Sequence, residues 1–282
     1  MMPLIDSHAH LVSADFDRYP PTPLKGSLDR ALEPFTAEDL IRHMDQYDVE
    51  RAVVVQRAHV YGFNNAYVAD AASQYPDRLT AVGMIDSLDP AAPVLVRHWV
   101  GERGMTGIRM TEAVKGSDTT WVSGPIAQDV WAAATDLRIS IAFHFMPWNR
   151  AACLTALSDM CDRFPQTTVV VDHFSNLVGA KGGPDFGVDG LVDDLARFPR
   201  VIQKFTMINI MKMSQQGVPC APVVKRVAQS YGANRIMWGS DVAQSKGSYA
   251  EMVRLGLEAT SLLAEEEREQ VHYRTARSVY AW

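Results

Sequence analysis

Eight short apolar runs, each followed by a stretch with helix signals, constrain this 282-residue chain more than any other feature of its sequence. The runs are PLIDSH (3–8), RAVVVQ (51–56), LTAVGMID (79–86), MTGIRM (105–110), ISIAFHF (139–145), TTVVVDHF (167–174), VIQKFTM (201–207) and RIMWGSD (235–241). Between them, Thr36 and Asp39 form a capping-box pattern ahead of LIRHMDQY. Further helical stretches are 91–102, 128–137 and 221–232, with Gly232 placed to end the last. The unbroken apolar character of AVVV and TVVV suits parallel strands buried on both faces. Strands alternating with helices in this way predict an α/β protein, a (β/α)8 barrel forming a single domain over residues 1–282. A doubly wound sheet is the rival. It is weakened because no Gly-rich nucleotide-binding turn follows the first run.

Charge and cysteine content narrow the class. The 27 basic and 33 acidic residues give a net charge of -6, with no long run of one sign. That argues against a nucleic-acid or membrane-surface partner. Cys153, Cys161 and Cys220 lack CxxC spacing and read as buried thiols in a reducing compartment. With no N-terminal signal pattern and no apolar run of about 18 residues, a cytoplasmic protein is expected. Homo-oligomerisation is left open.

In a barrel, chemistry gathers at the C-terminal ends of the strands. His8 and His10 end the first run, and as residues i and i+2 they share a face, roughly 6–7 Å apart. That spacing suits two nitrogens on one metal ion, and equally two polar residues at a strand end. Arg57 and His59 follow the second run and Arg109 ends the fourth. His144 ends the fifth, His173 the sixth and Asp241 the eighth, while Lys204 lies inside the seventh. Residues so scattered meet only if the barrel closes. His8, His10, His144 and Asp241 then supply the three or four N/O ligands of one divalent ion, zinc by donor type. Water on such an ion has a pKa near about 7, and Asp241 stands to take its proton. His173 is left to polarise a carbonyl or protonate a leaving oxygen. Asp172 is expected on the opposite side of its strand, and Asp6 on the same face as His8. His144 between two phenylalanines also fits a core histidine. His43, His98 and His272 fall in helical stretches and suit helix packing. Trp121 and Trp148 follow strand ends, where they would wall a pocket or cover the rim.

The segments DSHAH, FHF, VVDHF and WGSD resemble the amidohydrolase superfamily, and most closely its amidohydrolase family 2 branch. The likeness spans nearly the whole chain. GIRM on the fourth run and QRAHVYGFNN (56–65), which contains Tyr61, look like lactonase segments of that branch. The resemblance implies a TIM barrel and a metal-dependent hydrolase opening a small carboxylated or polyhydroxy lactone. The alternative is non-oxidative decarboxylation of an unsaturated or aromatic acid. It also implies that Arg109 holds a substrate carboxylate; Arg57 and Lys204, which likewise fall near the strand tops, are further candidate binding residues, with Tyr61. The competing reading of Arg109 is a salt bridge inside the barrel. Two departures stand out: the fourth strand ends without a lysine that could be carbamylated, and Thr275-Ala276 replaces the branch's frequent Asn-Ala pair. Some relatives work without a metal but lack the strand-five histidine. His144 therefore favours one ion, with a metal-free mechanism as the other course.

Overall fold

The computed structural model describes residues 3–24, 32–112, 116, 118–177 and 182–282. Strands and helices alternate in the order β1 (Leu4–Ala9), α1 (Ala37–Gln46), β2 (Val49–Val55), α2 (Ala66–Gln74), β3 (Leu79–Met84) and α3 (Ala92–Arg97). They continue with β4 (Gly107–Thr111), α4 (Pro125–Leu137), β5 (Ser140–His144), α5 (Arg150–Arg163), β6 (Thr168–Val171) and α6 (Gly190–Leu195). The last are β7 (Val201–Thr206), α7 (Met207–Gln215), α8 (Cys220–Tyr231), β8 (Ile236–Gly239), α9 (Tyr249–Glu258) and α10 (Thr275–Val279). All neighbouring strands pair in parallel in sequence order, β1 to β8. The ring closes where Asp241 N–H donates to His8 O at 2.7 Å and His10 N–H donates to Val242 O at 3.2 Å. This is the (β/α)8 barrel that the alternation predicts.

Period-two alternation sorts the strand residues into two cores. Ile5, Val53, Val55, Val82, Ala142, Val170, Ile202 and Met237 pack together inside the barrel. Leu4, Val54, Ile108, Phe143, Val171, Phe205 and Trp238 face the helices and join the larger outer core. Each fully buried aliphatic chain contributes about 1.5–3 kcal/mol of transfer free energy. Ala276 and Tyr280, with Tyr273 and Trp282, pack on the inner cluster. Arg51 lies over the Trp282 ring and Tyr273 Oη donates to Glu50, both at the start of β2. The C-terminal segment therefore plugs the barrel at the end opposite the site.

Thr36 caps α1 in a full capping box with Asp39, and α8 ends at Gly232 with φ 80°, as the sequence predicts. The stretch 91–102 divides, with α3 followed by a π-helical turn over His98–Glu102. Among the described residues no helix is long and apolar enough to cross a membrane.

Candidate active site

The first strand does not present its histidines by simple alternation. Ile5 faces the interior, so an unbroken strand would turn Ser7 and Ala9 inward and both histidines outward. A register shift against β2 between Asp6 and Ala9 reverses this. Asp6 is therefore not a same-face partner of His8. Its carboxylate accepts from Ser240 Oγ at 2.5 Å, Ser240 N at 2.8 Å, His8 N at 3.1 Å and Tyr249 Oη of α9 at 3.2 Å. Burial nevertheless pushes its pKa up, against those hydrogen bonds. β8 approaches so closely that a Cβ on Gly239 would lie 2.3 Å from His8 Cβ. Only glycine fits there.

Three atoms that could ligate one metal ion converge at the junction of β1 and β8. Asp241 Oδ1 lies 3.4 Å from His10 Nε2 and 3.6 Å from His8 Nε2. His10 Nδ1 faces Val55 O at 2.8 Å, a carbonyl that can only accept. The proton therefore sits on Nδ1, and Nε2 turns a lone pair to the site. Asp241 Oδ2 accepts from Ser245 Oγ at 2.6 Å, while Oδ1 and His8 Nε2 are buried without a hydrogen-bond partner. Orphaned polar atoms of this kind fit a cation. Burial would raise Asp241, but the surrounding imidazoles of His10, His173 and His8 outweigh it and hold the carboxyl below its ordinary range. Burial drives His8 down to about 3 despite Asp172 beside it, so its imidazole is neutral at physiological pH.

β6 carries the second half of the site. Asp172 follows Val170 on the inner face and points into the barrel, contrary to the expectation from its neighbour His173. Both side chains face inward because the backbone turns left-handed after Asp172. His173, Phe174, Ser175 and Asn176 have φ of 54°, 48°, 55° and 49°. L-residues resist this conformation by about 1–2 kcal/mol each. Surrounding groups hold the turn. Asn209 Nδ2 donates to His173 O at 2.9 Å, Arg150 Nε to Ser175 O at 2.7 Å, and Asn176 Nδ2 to Phe145 O at 3.1 Å. Arg150 is itself clamped by both oxygens of Asp189 at 2.6 and 3.2 Å.

Asp172 is the counter-charge for two buried cations. Arg109 Nε lies 2.8 Å from its Oδ2 and Lys204 Nζ 3.2 Å from its Oδ1. These are ion-pair distances without hydrogen-bond alignment at the Asp172 oxygens. Burial alone would raise Asp172, but Lys204 and Arg109 hold it well below the carboxylate range. Burial would lower Lys204, and Asp172 more than reverses that. His8, Asp172 and His173 also form a second cluster of ligating atoms, but the ammonium already stands beside it. His173 Nδ1 faces Thr206 Oγ1 at 2.7 Å, and its Nε2 lies 3.4 Å from Arg109 Nη2. Burial, with repulsion from His8, takes His173 down to about 3.

The remaining candidates divide. His144 packs edge-on to His173, ring centroids 5.0 Å apart, and lies outside the close group of His8, His10 and Asp241. Burial, together with Arg109 and His173, holds it well below its ordinary value. Arg57 stands half-buried at the end of β2, where its Nε donates to Gln244 Oε1 at 3.0 Å. Lys204 is fully buried below the site, its Nζ enclosed by Asp172, His8 and Tyr280. Tyr61 is buried too, and its Oη accepts from Ser13 N at 2.8 Å. Trp121 is core, whereas Trp148 is exposed and donates to Glu112 Oε2 at 2.7 Å. His272 is buried against Thr260 and Trp238. Sequence reasoning turned Asp172 to the wrong side of its strand and missed Ser245, Thr206 and Tyr280. For Asp172 a signal existed, its two-residue spacing from Val170.

The amidohydrolase family model matches residues 5–282. The chain belongs to this family. As an amidohydrolase family enzyme it is 27% identical over 244 residues to an L-fucono-1,5-lactonase of Burkholderia ambifaria, covering 84% of this chain and 79% of that protein. Its fold is shared by a probable 2-pyrone-4,6-dicarboxylic acid hydrolase from Acinetobacter baumannii with citric acid bound (TM-score 0.75, 18% identity, 100% of both chains). It is shared also by an amidohydrolase from Burkholderia multivorans with bound zinc (TM-score 0.75, 19% identity, 98% of both chains). A 2,6-dihydroxybenzoate decarboxylase from Rhizobium has the same barrel (TM-score 0.68, 15% identity, 99% of this chain and 98% of that one).

Proposed function

We propose that this amidohydrolase hydrolyses a small lactone, carboxylated or polyhydroxylated, at the β1–β8 junction. The observation that carries the proposal is the orphaned Oδ1 of Asp241, aimed at the Nε2 atoms of His8 and His10 while Ser245 holds Oδ2. His8, His10 and Asp241 would hold one divalent ion, zinc by donor type, with His144 and His173 beside it. When bound, such an ion supplies Lewis acidity and lowers the pKa of water. Asp241 accepts the proton of the attacking water as general base. The water oxygen bonds to the lactone carbonyl carbon, the ring C–O bond breaks, and the proton returns from Asp241 to the leaving oxygen. Arg109, steadied by Asp172 and His173, offers its outer guanidinium edge to an anionic substrate, and Arg57 supplies a second cation at the mouth. Lys204 acts from beneath, through Asp172. The relationship to the fucono-lactonase favours a sugar lactone as first substrate.

Decarboxylase relatives on the same barrel supply the second reading, in which a proton is delivered to carbon. The test is a panel of sugar lactones, carboxylated lactones and hydroxybenzoates, with acid release and carbon dioxide followed separately. Acid release from a lactone without carbon dioxide is expected. Carbon dioxide from an acid, with every lactone untouched, would replace the lactonase reading with the decarboxylase one.

A further inference from the structure

One nitrogen in the site has two neighbours of opposite kind. His8 Nδ1 lies 3.5 Å from Lys204 Nζ, which can only donate, and 3.5 Å from Asp172 Oδ1, an ionised acceptor. It can satisfy one of them at a time. If Nδ1 carries the proton and donates to Asp172, the lone pair is on Nε2 and faces Asp241. If Lys204 donates to Nδ1, the proton sits on Nε2, which then cannot ligate a cation. The neighbour His10 has no such choice, because a carbonyl fixes its Nδ1.

The position of Lys204 is set from the far end of the barrel. Its Nζ lies 3.3 Å from Tyr280 Oη, in the C-terminal segment that plugs the interior. Lys204 and Tyr280 are both buried, and neither has a part in the proton transfers proposed above. We infer that Lys204, anchored by Tyr280, is a positioning residue that sets the tautomer of His8 and thereby restrains cation binding at His8, His10 and Asp241. The ammonium works in two ways. It competes with Asp172 for Nδ1, and it places a fixed positive charge beside a ligand. Tyr280 draws it away from the imidazole. The inference rests on the one-cation reading of the site.

The experiment measures Zn²⁺ affinity of the full-length, chelator-stripped protein by competition with a chromophoric chelator. Wild type, Lys204→Met, Tyr280→Phe and Asp241→Asn are compared, with thermal melts to confirm folding. Lys204→Met removes the charge but leaves Asp172 paired with Arg109, and should bind Zn²⁺ at least ten-fold more tightly. Tyr280→Phe keeps the ammonium and deletes its anchor, and should bind more weakly. Opposite signs are the signature, since general damage to the site would weaken both. A long-range ¹H–¹⁵N spectrum should show His8 in Lys204→Met with its proton on Nδ1. Equal or weaker binding by a folded Lys204→Met, while Asp241→Asn loses affinity, overturns the inference and leaves the cation site standing. Absence of binding in all four proteins overturns both.

Discussion

His10 Nε2 lies 3.4 Å from Asp241 Oδ1, although the two residues come from opposite ends of the chain. The contact exists because β1 and β8 close the barrel, and because a carbonyl fixes the His10 ring. An imidazole lone pair and a carboxylate oxygen are thereby brought face to face with no proton between them.

Asp241→Asn removes the proposed base and one proposed anionic ligand while leaving an acceptor for Ser245. Turnover of any lactone substrate should fall by roughly 10³-fold or more, with the far-ultraviolet circular dichroism unchanged. Initial rates on the folded variant check this. Near-normal rates would remove Asp241 from the mechanism.

Asp172→Asn leaves Arg109 and Lys204 buried without a counter-charge. Removing one partner of a buried pair costs about 3–5 kcal/mol, so the urea midpoint should drop far below that of wild type. A loss under about 1 kcal/mol would show that the two cations find other partners.

Gly239→Ala would force a methyl against His8 Cβ, at a separation no real pair of carbons adopts. The expected cost is about 2–3 kcal/mol, with loss of Zn²⁺ binding as His8 is pushed aside. Chemical denaturation and metal titration of the same variant measure both effects. An unchanged midpoint would mean that β1 and β8 do not meet this closely.

Acid should destabilise the metal-stripped protein earlier than it would an average barrel. His8, His173 and His272 are held neutral down to about 3 in the fold. In the unfolded chain they take up protons below about 6.5. Between those values the unfolded state binds more protons, so stability falls as pH falls, by up to about 1.4 kcal/mol per pH unit per imidazole. Asp172 and Asp241, both held below the carboxylate range, add to the loss once pH drops beneath about 4. Urea midpoints measured from pH 7 to pH 4 should decline steadily, and a flat profile would contradict the buried neutral histidines.

Much of the barrel was legible in the sequence, because buried parallel strands write themselves as β-branched runs at regular intervals. His8, His10 and Asp241 were legible for a related reason, since strand ends share an address once the ring closes. What the sequence could not display was local backbone departure. The register shift in β1 turned His8 and His10 inward and so parted them from the outward-facing Asp6, and the left-handed turn at His173 let Asp172 and His173 face the same way. Either event breaks the two-residue rule that placed those side chains. Lys204 reads as a substrate residue because, like Arg57 and Arg109, it falls near a strand top. Depth along the strand, which separates a buried ammonium from an accessible one, has no signature in period-two alternation. Tyr280 lay beyond reach because the C-terminal plug is a tertiary feature.

The claim on which the rest depends is that His8, His10 and Asp241 form a one-cation site. Anomalous scattering from crystals of protein purified without added metal tests it directly. A single peak bonded to His8 Nε2, His10 Nε2 and Asp241 Oδ1 is the predicted result. A peak elsewhere, or none at these three atoms in active protein, would contradict it.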